Sequence, residues 1–459
     1  MKSVKPIQAI NPVFALIVLV VVGLSTVFLA TPYYPLAVLP AFAVIFVLLI
    51  GRFPEFGYYL IIFLIPFGAY RGLAGQFSFI RLPWIIAICL VLLIFLRQLF
   101  KKSVPGDMRS NFWPLLFVFF AVNLISALFS SYKVTAFLNI AFLGVAFCFI
   151  ALNLTFISQN GFRKTLPLVL IWSITLGSFL AIIGYIFELP FLTNSSRGTG
   201  ATMDPNNMSL MIIFVLPLLV YRFLYERQVW SRFLMLIFIL VNLFALVTTF
   251  SRGGALVFVP TIFLIFIEYA PRIRSKYLGL IIAVLSFSLV VGLIAVPSTY
   301  WQRQKSITDW NDSALKRRTT YLYVAFEIFK RDPLLGAGPG VFRDIYVESA
   351  YAKKIAREGK MSRRFAHNTY LEILTGTGIS GLILFLAVLS VAFWNFTRAK
   401  KNYFYRNDLK MTALVGAYRI SYLSLLLYLF IFSDIYHKYL LLSLPLSQVA
   451  LRLSSQEQK

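Results

Sequence analysis

The chain has 459 residues, of which 59% are hydrophobic and only 13% charged, with 43 Lys and Arg against 17 Asp and Glu, a net charge of +26. Soluble domains carry about 45–50% apolar and about 25% charged residues, so an ordinary soluble enzyme and a disordered chain are excluded. Two cysteines (Cys89, Cys148) in apolar runs and two histidines (His367, His437) leave no material for a disulfide framework or a Cys- or His-rich metal centre.

A helix needs about 20 apolar residues to cross a bilayer. Candidate spans fall at 11–31, 34–51, 55–70, 83–100, 112–129, 134–157, 165–187, 207–224, 233–250, 254–270, 277–296, 370–396, 411–433 and 439–453. The runs are continuous rather than alternating, which argues for helices and against a barrel. The expected fold is therefore all-α, a polytopic transmembrane bundle of 12–14 spans with one large structured extracytoplasmic loop. Three regions follow: N-terminal helices over 1–296, the loop over 297–369 and C-terminal helices over 370–459. Lys2 and Lys5 precede the first span, but 25–30 lacks a small-x-small cleavage pattern, so that span is expected to stay as an anchor.

Lys and Arg in short loops set orientation. With a cytoplasmic N-terminus, the inner loops and tails hold 22 of them and the short outer loops hold six: Arg71, Arg81, Lys133, Arg197, Arg252 and Lys438. Both termini then lie inside, and most of the positive charge needs no nucleic acid to explain it. The loop over 297–369 holds 14 Lys and Arg and seven Asp and Glu on the outer face. Loops this long largely escape the charge rule, and their basic character suggests an anionic partner.

Within that loop 313–332 reads as an amphipathic helix, with Leu322, Ala325, Phe326 and Phe329 as its apolar stripe and Lys316, Arg317 and Arg318 near its start. It fits either an interfacial helix facing lipid phosphates or a helix whose Arg317 or Arg318 helps hold a diphosphate. Gly336-Ala-Gly-Pro-Gly340 lacks the Lys-Ser/Thr ending of a phosphate-cradling loop and reads as a turn. His367, where the loop enters the next span, is suited to proton transfer near neutral pH. His437, with Asp434 before it and Lys438 after, is a rival that residue chemistry alone does not separate from it. Arg252, pinned between two spans, and Arg197, in the segment 193–206, are natural partners for phosphate oxygens; the plainer readings are a snorkelling interfacial residue for Arg252 and an ordinary loop charge for Arg197. The span count places Arg197, Arg252 and His367 on one membrane face. Arg419 lies about nine residues inside its span, roughly 13 Å deep by helix rise, and is a functional charge, one bonded to a neighbouring helix, or one that snorkels inward.

Taken together, Ser251-Arg-Gly-Gly-Ala255, Asp332-Pro-Leu-Leu-Gly-Ala-Gly-Pro-Gly340 and the run from His367-Asn-Thr-Tyr-Leu-Glu-Ile-Leu through Thr375-Gly-Thr-Gly378 to Leu382 resemble the O-antigen ligase/polymerase family. Arg197-Gly-Thr-Gly200 followed by Asp204-Pro-Asn-Asn207 is similar to that family's outer segment. The resemblance covers about 197–385. It implies a GT-C-like glycosyltransferase of the bacterial inner membrane, working on the periplasmic face without metal or cofactor. The donor would be a glycan on undecaprenyl diphosphate, and the acceptor either lipid A–core or another lipid-linked glycan. By motif match His367 is the family's histidine, and Arg252 and Arg197 match arginines assigned to the diphosphate. Arg317, Arg318, Asn206 and Asn368 are further substrate-binding candidates. Thr375 departs from the acid or polar residue that many relatives place before the Gly-x-x-Gly turn.

In that reading the arginines stabilise the leaving diphosphate and neutral His367 takes the acceptor proton, an inverting displacement. The sequence leans slightly to ligase over polymerase. A lipid-linked oligosaccharide flippase and a non-catalytic scaffold are the rivals. Polar character concentrated in one loop, instead of lining a central path, speaks against transport.

Overall fold

The structure is a computed structural model that describes residues 12–30, 37, 39–67, 86–88, 90–93, 107–270, 298–305, 313–355 and 363–456. The expected spans at 83–100 and 277–296 fall largely or wholly outside the described residues. The helices are α1 Pro12–Leu29, α2 Leu39–Arg52, α3 Pro54–Phe63, α4 Trp113–Phe129, α5 Lys133–Phe156, α6 Leu166–Ile186, α7 Pro205–Tyr225, α8 Val229–Thr248 and α9 Arg252–Tyr269. After them come α10 Ser298–Lys305, α11 Ser313–Arg331, α12 Phe342–Glu348, α13 Ala350–Ile355, α14 Thr369–Tyr405, α15 Leu409–Tyr428 and α16 Lys438–Gln456. One two-residue hairpin, β1 Thr193–Asn194 with β2 Arg197–Gly198, pairs antiparallel between α6 and α7.

Seven of the described helices are long and apolar enough to cross a membrane, namely α5 to α9, α14 and α15, with α6 extended back to Gly161 by one π turn. A pair bent by 112°, Val44–Arg52 with Pro54–Phe63, makes up to eight. The all-α polytopic expectation is borne out. The chain divides into two compact units. Met1–Ile61 with Trp84–Ser103 forms one, in which α1 packs on α2. Ile62–Pro83 with Val104–Lys459 forms the other and holds every candidate site residue.

The second unit is built around α7 and α15, which are buried nearly all round. Helix α9 shows the outer pattern. Gly254, Val257, Thr261, Ile265 and Glu268 recur at helical spacing and are buried, while Leu256, Val259, Phe263 and Phe266 are exposed on the other side. An exposed face of large apolar groups is what a lipid-facing helix requires. Some polar groups between the spans are paired across helices. Asn242 accepts from the Ser178 hydroxyl at 2.8 Å and donates to Thr175 Oγ1 at 2.9 Å, joining α6 to α8. Arg419 is bonded to a neighbouring helix, one of the alternatives its sequence position allowed. Glu268 of α9 meets Lys400 Nζ of α14 at 2.6 Å and Arg419 Nη2 of α15 at 3.5 Å. The carboxylate is buried and its two partners are only partly exposed.

The large loop packs back on the helices, and here the structure corrects the sequence reading. Helix α11 buries Tyr321, Val324, Ala325 and Ile328, whereas Leu322 and Phe326 are exposed. The helix carries two overlapping apolar stripes one residue apart. Contact with Phe342 and Tyr346 of α12, and with Ala127, Ala136 and Ala366, selects the first. Gly336–Gly340 forms a turn, and its role is to dock. Ala337 N–H donates to Thr375 O and Gly338 N–H to Gly376 O, each at 2.9 Å, and Ile379 N–H donates to Pro333 O at 2.9 Å. These bonds use backbone that α14 frees by breaking at Gly378, where φ is 65° and ψ −166°, a conformation confined to glycine.

Candidate active site

The site forms at the end of the second unit where α7, α9 and α14 begin. Three side-chain caps start these helices, as their unpaired N–H groups require. Asp204 Oδ1 accepts from Asn206 N–H at 2.7 Å and Asn207 N–H at 3.3 Å. Ser251 Oγ accepts from Gly254 N–H at 3.0 Å, and Asn368 Oδ1 from Leu371 N–H at 3.0 Å. Buried Tyr428, at the end of α15, ties two of the starts together. Its hydroxyl donates to Asn206 O at 2.8 Å and lies 2.7 Å from Ser209 Oγ, while Ser251 Oγ donates to Asn206 Oδ1 at 2.9 Å. Asn206 is therefore placed at the junction of α7, α9 and α15, with its carboxamide oxygen committed to Ser251.

Arg197 and Arg252 meet at the turn between α8 and α9. Arg252 is the first residue of α9, half-buried. Arg197 stands on β2 and its Nε donates to Thr249 O at 2.7 Å. The hairpin can approach this closely because residue 198 is glycine. A Cβ there would sit 2.7 Å from Thr248 Oγ1 and 2.8 Å from Ala181 O. Burial above all, then the positive charge of Arg303, lowers the Arg197 pKa to about 10, with Arg252 acting in the same direction and Asp204 against it. Arg197 remains a cation at neutral pH, set among other cations.

His367 stands just before α14 in a left-handed backbone turn, φ 51°, with Ala366 N–H held by Glu372 Oε1 at 2.7 Å and Asn368 capping α14. Its ring lies 6.0 Å from that of Tyr321 on α11. Burial first, then Arg318, lowers its pKa below the ordinary histidine value, with Arg364 and Arg317 adding and Asp204 opposing. These influences favour the neutral imidazole. Asp204 acts on both His367 and Arg197, so the cap of α7 links the two halves of the site. Arg317 and Arg318, at the start of α11, are brought to His367.

The structure separates the two histidines. His437 is 2% exposed, with Nε2 3.0 Å from Asn207 Oδ1 and Nδ1 buried without a hydrogen-bond partner. Burial, then Lys438, pushes its pKa down to about 3. It is packed behind α7 and stays neutral near neutral pH, whereas His367 is only partly buried.

Sequence reasoning gave no role to Asp204, Tyr428, Glu372 or Arg303. Asp204 had a signal, an Asp-Pro pair at a helix start. Tyr428 and Arg303 had none, because only the packing of distant segments brings them here. Arg303 Nε donates to Phe250 O at 2.9 Å, one residue on from the carbonyl that Arg197 uses.

The fold is that of a polytopic helical membrane protein, with a histidine and several arginines gathered at one end of the second unit. Residues 235–386 match the family model described as O-antigen ligase. That segment contains Arg252, the large loop, His367 and the break at Gly378, and the match bears out the resemblance to the O-antigen ligase/polymerase family. No curated protein matches the chain in sequence.

Proposed function

We propose that this chain is a glycosyltransferase of the bacterial inner membrane that moves a glycan from undecaprenyl diphosphate to an acceptor hydroxyl on the periplasmic face, with lipid A–core as acceptor. The reading rests on the convergence of Arg197, Arg252 and His367 at one end of the bundle. The acceptor oxygen attacks the anomeric carbon and its proton passes to the neutral His367 imidazole. The bond from that carbon to the diphosphate oxygen breaks, and its electron pair leaves with the diphosphate. Arg197 and Arg252 stabilise the charge that develops there, with Arg317 and Arg318 beside the histidine. Direct displacement inverts the anomeric centre.

The test is transfer by purified protein supplied with lipid-diphosphate-linked glycan, with and without lipid A–core, in chelator, beside Arg252→Ala and His367→Ala. Product formed only with lipid A–core, and lost in both variants, supports the ligase. A ladder of lengthening lipid-linked glycan without it makes the protein a polymerase using the same site. Full activity in His367→Ala refutes the assignment of the base.

A further inference from the structure

Helix α10, at the start of the large loop, lies against the same turn that holds Arg197 and Arg252. Its Tyr300 ring is 5.7 Å from that of Phe250, and its Arg303 Nε donates to Phe250 O at 2.9 Å. Arg197 Nε donates to the preceding carbonyl, Thr249 O, at 2.7 Å. Two guanidinium groups from segments about a hundred residues apart are thus fixed through the same nitrogen to consecutive carbonyls. Arg252 follows two residues later in the chain.

Three like charges gathered at one helix start repel one another, and a surface of this kind is built to receive negative charge. Of the charged neighbours of Arg197, Arg303 has the largest effect, ahead of Arg252. Asp204 is the acid beside them, and its Oδ1 is already engaged by two backbone N–H groups. A diphosphate carries more than one negative charge and presents several oxygens, which suits several guanidinium forks better than one.

A second observation comes from the next residue. Gln304 has both its side-chain oxygen and nitrogen buried with no hydrogen-bond partner among the described residues. It lies one helical turn after Tyr300, on the face of α10 that meets Phe250. An unpaired buried amide is costly, and polar ligand atoms would satisfy it.

We propose that Arg303 is a third diphosphate-binding arginine of the donor site and that Gln304 makes a further polar contact to the same lipid-linked donor. The inference rests on the transfer reading, but its test does not. Binding of inorganic pyrophosphate to the purified full-length chain is measured by calorimetry for the parent, Arg303→Gln, Arg303→Lys and Gln304→Leu. Arg303→Gln keeps an N–H for Phe250 O while removing the charge, and thermal melting checks that each variant is folded. The expected result is binding weakened about tenfold or more in Arg303→Gln, the scale of losing a charge-assisted hydrogen bond. Arg303→Lys should restore part of it, since a point charge replaces the fork. Gln304→Leu should leave pyrophosphate binding intact and raise the KM for the lipid-linked donor. A folded Arg303→Gln that binds pyrophosphate as the parent does, or a parent that does not bind it, overturns the role of Arg303. An unchanged donor KM in Gln304→Leu overturns the role of Gln304. Arginine-dependent pyrophosphate binding in a chain that transfers no glycan leaves the anion site standing and removes the transfer reading.

Discussion

Gly378→Ala probes the joint between the large loop and α14. A Cβ at this position would lie 2.3 Å from both C and O of Leu334 and 2.7 Å from Leu335 N, all backbone atoms that cannot rotate away. The backbone itself (φ 65°, ψ −166°) is closed to alanine. Keeping the native geometry would cost about 1–3 kcal/mol in strain and about 1–3 kcal/mol in overpacking, so about 2–6 kcal/mol together. Releasing the loop would cost three backbone hydrogen bonds, Ala337 to Thr375, Gly338 to Gly376 and Ile379 to Pro333, and two from serine hydroxyls, Ser130 to Ala337 O and Ser380 to Leu334 O, at about 1 kcal/mol each. The two costs overlap near about 5 kcal/mol, so the variant is expected to relieve itself by undocking in a share of molecules. Hydrogen–deuterium exchange should rise across residues 332–342 while the spans α7 and α15 stay protected. Gly144→Ala, where a Cβ meets nothing within 4 Å, is the control and should exchange like the parent. Parent-like protection and melting temperature in Gly378→Ala would refute the argument that this glycine holds the loop in place.

The acid limb of kcat/KM for transfer should lie below the ordinary histidine pKa, because protonation of His367 removes the base and its pKa is lowered. Arg318→Ala removes the largest charged contributor to that lowering, so the limb should move to higher pH; no movement would separate the limb from His367. Glu372→Gln keeps an oxygen to accept from Ala366 N–H and should retain transfer, whereas Glu372→Ala should lose about tenfold or more in kcat by freeing the His367 turn. Equal effects of the two would show that the acceptor oxygen is irrelevant. Removing the buried carboxylate in Glu268→Ala leaves Lys400 and Arg419 facing each other and should destabilise the bundle by about 3–5 kcal/mol, read as a fall in melting temperature in detergent.

Much of this protein was legible in its residues alone. Continuous apolar runs define spanning helices, because a helix satisfies its own backbone groups within a bilayer and a barrel would need alternating runs. The order of those runs led to the expectation that Arg197, Arg252 and His367 share one membrane face. Packing decided the rest. His367 and His437 carry the same chemistry, and only burial behind α7 disqualifies the second. Helix α11 offered two apolar stripes one residue apart, and the partners that chose between them lie in α12 and near α4, α5 and α14. Arg303 looked like one more basic residue of a basic loop until α10 set it beside Arg197. The division follows from the range of the forces involved. Transfer from water to lipid acts on each segment by itself and can be read from local composition. A charge's neighbours, a histidine's exposure and a glycine's fit are set by segments far apart in the chain, which only the folded bundle brings within a few ångströms of one another.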